Sequence, residues 1–152
     1  RRQALTALRK LGGGEAGELA LSMLGDRDPT VRREAAKTLG DLNVTRGLGP
    51  LRERLEAEDD PEVLVAILDA LGALRDPSAV MELKSWTGRR IPGGHDLALR
   101  SAALRALHRI GTPHALRILE QVPDEGDPSV RALIATLLEA RLFPPDGPAS
   151  GE

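Results

Sequence analysis

An aspartate, a proline, one variable residue and a valine recur in this chain as Asp28-Pro29-Thr30-Val31, Asp60-Pro61-Glu62-Val63 and Asp127-Pro128-Ser129-Val130. A fourth copy reads Asp96-Leu97-Ala98-Leu99, without the proline. The apolar residues that close the four copies are 32, 36 and 31 positions apart. A period in this range belongs to stacked supersecondary units, none of which can bury its apolar face alone.

Each copy opens a helix. In the copy at Asp60, Val63, Ala66, Ile67, Ala70, Leu71 and Leu74 follow at spacings of three and four, which lays one stripe along a helix of 3.6 residues per turn. Asp60 can accept the orphan N–H groups of the first turn, and Pro61 sits where a missing N–H costs nothing. The expectation is a capped helix with one buried side. Leu99, Ala102, Ala103, Ala106, Leu107 and Ile110 repeat the stripe, as do Val130, Leu133, Ile134, Leu137 and Leu138. The copy at Asp28 is looser, with Glu34 and Thr38 on its stripe beside Val31, Ala35, Leu39 and Leu42. Upstream, Ala4, Ala7, Leu8 and Leu11 align with Ala35, Thr38, Leu39 and Leu42 and predict the back half of an earlier helix, ended by Gly12-Gly13-Gly14.

Shorter second helices alternate with the first: Glu15 to Leu24, Arg46 to Ala57, one opening at Asp76-Pro77-Ser78 and one at Thr112-Pro113-His114. The unit is a helical hairpin, and residues 1–142 hold about four and a half of them. Residues 143–152, with Pro144, Pro145, Gly147 and Pro148, have too little apolar content to offset their ordering entropy, and are expected to be a disordered tail or a linker. The chain opens Arg1-Arg2-Gln3 inside a repeat, so further sequence ahead of it is expected.

Composition narrows the function. Trp86 and Phe143 are the only aromatic residues, so Leu, Ala, Val and Ile must form the core, and the stacking platforms of single-strand binders are missing. Without cysteine there are no disulfides or thiolate metal sites. No apolar run approaches the roughly 20 residues that span a bilayer, and cytoplasm is the default location. A net charge of −2 disfavours nucleic acid as partner. No P-loop, dinucleotide fingerprint, EF-hand loop or nucleophile and base pair is present. Glu58, Asp59 and Asp60 stand at a helix start, where capping is a simpler role than catalysis.

Asp28-Pro29-Thr30-Val31-Arg32 with Ala35-Ala36 and Leu39-Gly40, followed by second helices that open Asp-Pro-x-Ala-Val, resembles HEAT repeats, in particular the bacterial subtype named for phycobilisome lyases. The resemblance implies an all-α, right-handed α-solenoid that presents a groove to a protein partner. It also implies a structural ladder of Asp28, Asp60, Asp96 and Asp127 with Arg32, Arg100 and Arg131; Leu64 replaces the arginine in one repeat. Enzymes built on similar repeats set three tests. Iron-dependent hydroxylases of this kind carry paired His-Glu ligands, whereas the histidines here precede Asp96, Arg109 and Ala115. DNA glycosylases need basic surface. Bilin lyases show no short motif, so an accessory subunit of such an enzyme stays as the alternative to a scaffold.

The expectation is therefore a non-catalytic interaction module, with no cofactor and no catalytic or metal-ligating residue. Its partner is a protein, and the uncovered stripe of the last helix implies either end-to-end self-association or neighbouring sequence that completes the array. The second helices are expected to line the concave side, with Met81, Glu82, Ser85, His114, Arg117 and Gln121 facing the partner, extended by Arg89 and Arg90 in the longer connection that follows. Charge is segregated. Between Gly88 and Leu119 six arginines accompany one acid, Asp96, and between Glu53 and Glu82 nine acids accompany Arg54 and Arg75. Solvated outer faces and a docking surface both explain that pattern.

Overall fold

The computed structural model describes residues 2–88, 94–123 and 126–142. Among them the chain forms α1 (Arg2–Leu11), α2 (Gly14–Met23), α3 (Pro29–Asp41), α4 (Leu48–Ala57), α5 (Pro61–Leu74), α6 (Val80–Trp86), α7 (Asp96–Ile110), α8 (Pro113–Gln121) and α9 (Pro128–Leu142), and no strand. One turn of 3₁₀ helix leads into α4 and another into α6. This is an α-solenoid of four hairpins and a half, as the repeat pattern requires. The expected tail at 143–152, the basic connection at Arg89 and Arg90, and the side chains of Leu8, Leu11 and Leu142 lie outside the described residues.

The caps form where the aspartates and prolines predict them. Asp28 accepts from the Thr30 N–H, Asp60 from those of Glu62 and Val63, and Asp127 from those of Ser129 and Val130. α7 differs: it starts one residue earlier, with His95 at the N-cap position and Asp96 already inside the helix. In the other three repeats proline follows the aspartate and pushes it out of the α region; Leu97 imposes no such limit.

α3, α5 and α7 form one layer and pack directly on one another, while α4 lies mainly against α5 and α6 mainly against α7, the first helix of the following repeat. α5 is consequently buried on most of its circumference and not on one side alone. Beyond the predicted stripe, Leu64, Leu68 and Gly72 are buried as well. The small residues set the spacing of this layer. A Cβ on Gly40 would lie 3.0 Å from the Ala70 Cα, and one on Gly72 would lie 2.6 Å from the Ala106 Cα. Neither glycine has a positive φ, so close approach and not backbone freedom explains both.

The ends differ from the middle. In α1, Leu5 is fully buried against the core, but Ala4 and Ala7 are exposed, because among the described residues no helix precedes α1 to cover the positions that Ala35 and Thr38 fill in α3. In α9, Leu133, Ile134, Leu137 and Leu138 are half-buried against the core, so the expected uncovered stripe is partly covered. The positions where α5 packs on α7 through Leu64, Leu68 and Gly72 are Arg131, Ala135 and Glu139 in α9, all exposed. Two of these three, Arg131 and Glu139, are charged where the matching residues of α5 are apolar.

Leu71 is fully buried, so Leu71→Ala should destabilise by roughly 2–5 kcal/mol in chemical denaturation. Gly72→Ala should cost about 1–3 kcal/mol by overpacking the α5–α7 contact, whereas Glu56→Ala, on an exposed position, should leave the denaturation midpoint unchanged.

Candidate interaction surfaces

The chain uses much of its charge internally. The Glu58 side chain is fully buried, and its carboxylate accepts two bonds from the Arg32 guanidinium, at 2.7 and 2.8 Å. It also accepts the backbone N–H groups of Asp59 and Asp60, and Arg54 Nε lies 3.0 Å away. Arg32 further donates to the carbonyls of Asp26 and Arg27. Burial pushes the Glu58 carboxyl up, but the hydrogen bonds from Arg32 and Asp60 and the charges of Arg32 and Arg54 outweigh it, and hold the group below the usual carboxylate range. The bond to Glu58 raises Arg32 in turn against the desolvation that lowers it. Both groups are charged at neutral pH and fully engaged, which suits a structural tie and not a proton-transfer role.

The implied aspartate and arginine ladder takes a different form at Arg32, whose partner is Glu58. The matching Arg100 bonds the Pro123 carbonyl. Each arginine thus fastens the loop that leaves its own hairpin. In the repeat between, Leu64 fills the position and is buried among apolar neighbours, 3% exposed.

The segregated charges also meet across repeats. Arg33 pairs with Glu62, Arg46 with Glu18, Arg52 with Glu82 at 2.5 Å, Arg105 with Asp69 at 3.4 Å and Arg141 with Glu120 at 2.7 Å. An acidic repeat beside basic ones therefore gives pairs between neighbouring helices. Such exposed pairs contribute little stability each, on the order of 0–1 kcal/mol, but they match charge between helices that lie side by side.

Two of the recesses among the described residues bear on recognition. One, about 490 Å³, lies between α6 and α8 and is lined by Ser85 and Gln121, with Ile118, Val122 and Pro123 at its apolar side. Beside it Met81 is 60% exposed, more than any other large apolar side chain described, and its Sδ lies 3.5 Å from His114 Nε2. Arg117 is exposed on the same helix as His114. Of the expected partner-facing residues, the structure thus brings Met81 to His114 and Ser85 to Gln121. Glu82 is half-buried and held by Arg52. Ile118 is buried, whereas Leu116 is only half-buried.

The other recess, about 530 Å³, crosses the layer of first helices. Val65, Ala66, Ala70 and Ala73 of α5 form its floor, and charged residues of α3 and α7 rim it. Sequence reasoning missed this groove. The available signal was Val65, an apolar residue off the stripe where the matching positions are Arg33 and Ser101.

Among the described residues no three His, Asp or Glu side chains converge as metal ligands would, and no helix is long and apolar enough to cross a membrane. The stacked hairpins, their Asp-Pro caps and the Leu-Gly contacts define a helical-repeat protein. A family profile for HEAT repeats matches residues 1–63 and 48–139, and the chain belongs to the HEAT-repeat family. No curated protein matches it at a significant level.

Removing one member of the buried pair leaves the other uncompensated, so Glu58→Ala should cost about 3–5 kcal/mol. Because the folded-state carboxyl is depressed, its contribution is complete above its unfolded value of about 4.3 and is lost as pH falls through the lower folded value. Arg32, raised, stays charged throughout that window. Urea unfolding at a series of acidic pH values should show the gap between wild type and Glu58→Ala narrowing as the pH drops.

Proposed function

We propose that this protein is a non-catalytic scaffold that binds a protein partner through the groove between its second helices. The observation that carries the reading is Met81: a large, flexible apolar side chain left 60% exposed on a helix whose other apolar residues are buried. Thioether side chains adapt to varied apolar partners, and His114 sets a polar group beside this one, with Arg117 exposed one turn further along the same helix, in the manner of an apolar anchor with a polar rim. Ser85 and Gln121 line the adjoining recess. HEAT repeats serve generally as protein-interaction surfaces, and stacked repeats hold such surfaces rigid.

Met81→Asp combined with Arg117→Glu should abolish recovery of a recurrent cross-linked partner from the source cells while leaving helical circular dichroism unchanged. Chromophore co-purifying with the wild-type chain, or turnover by the recovered complex, would replace the scaffold with an accessory subunit of an enzyme such as a bilin lyase.

A further inference from the structure

The groove across the first helices has a charge balance that its composition hides. Three carboxylates line it, and each is already engaged. Glu62 is held by Arg33, Asp69 by Arg105 at 3.4 Å, and Asp41 also has a partner. Arg33 is committed with them, but two further cations on the rims, Lys37 and Arg109, are much less so. On α3, Lys37 keeps a single contact at the 4.0 Å limit, to Glu34 on its own helix, and its side chain is 47% exposed. On the α7 side, Arg109 is exposed and donates one 3.5 Å bond to the Asp69 carbonyl. Between the rims the floor is Val65 with three alanines, which provides apolar surface but no hydrogen-bonding groups from side chains.

From this geometry we infer a second interaction surface: the groove over α5 binds an acidic segment of a protein partner, whose carboxylates meet Lys37 and Arg109 on opposite rims and whose apolar side chains rest on Val65, Ala66, Ala70 and Ala73. Opposed cations flanking an apolar floor favour a chain that carries both kinds of group, since carboxylates alone would leave the floor wet and apolar residues alone would leave the rims unmatched. A polynucleotide fits less well. The floor has no aromatic ring on which a base could stack. None of the second helices lines this groove, so its occupation is independent of Met81. The inference rests on the scaffold reading to the extent that the occupant is a protein, but it stands or falls on different residues.

The test is selection of a random-peptide display library on the full-length chain, followed by fluorescence anisotropy with the enriched peptides on wild type, on Lys37→Glu/Arg109→Glu and on Met81→Asp. Circular dichroism establishes that each variant is folded. The expected result is enrichment of peptides that mix Asp or Glu with Leu or Val. Their affinity should fall at least about tenfold in the double charge reversal, weaken steeply with added salt and remain the same in Met81→Asp. Enriched peptides without acidic residues, equal binding to the charge-reversed variant, no enrichment at all, or tighter binding of a single-stranded oligonucleotide would each overturn the proposal. Peptides lost only in Met81→Asp would remove this groove and leave the second-helix scaffold standing.

Discussion

Everything in this structure depends on how closely the first helices can approach. At Gly40 and Gly72 the backbones of α3, α5 and α7 come so near that even a methyl group would meet the neighbouring Ala70 or Ala106 backbone. Close approach of this kind buries nearly the whole circumference of α5, and it does so with small side chains in a protein almost without aromatic residues. Interlocking follows from the same spacing. Since α4 settles against α5 and α6 against α7, every hairpin is completed by the next one, and the stability of each unit is shared with its neighbour.

Charge is then matched between neighbouring helices. A charged residue near the core is tolerable only with matched partners, and the Arg32–Glu58 tie meets that condition with two short bonds from the guanidinium and two backbone N–H groups. Along the outer surface, pairs such as Arg33–Glu62 and Arg105–Asp69 place an acidic helix between two basic ones. Specificity of neighbour is the gain, because a repeat set beside the wrong one would juxtapose like charges.

The two layers have different surfaces for a physical reason. Alanines on α5 bring the first helices together but cannot fill the outward side, so a shallow apolar groove remains there. The second helices, short and less closely packed among themselves, leave instead a cleft between α6 and α8 with Met81 standing beside it. A stack with two unlike surfaces can hold two unlike segments, which is how a scaffold differs from a simple binder.

The repeat was legible in the sequence because its determinants are local: an aspartate that caps, a proline that begins a helix, and apolar residues every three or four positions act within one turn or one helix. These settled the all-α solenoid, the number of units and most of the stripe, including Ile67, Leu71, Leu99 and Leu107, all fully buried. What crosses between repeats was not legible. The choice of Glu58 as the partner of Arg32, the burial of Leu64 and Leu68 away from the stripe, the exposure of Arg131 and Glu139 on α9 and the groove floored by Val65 all depend on which helix lies beside which. That arrangement is set by distances of a few ångströms between backbones, and spacing along a single helix carries no record of its neighbour.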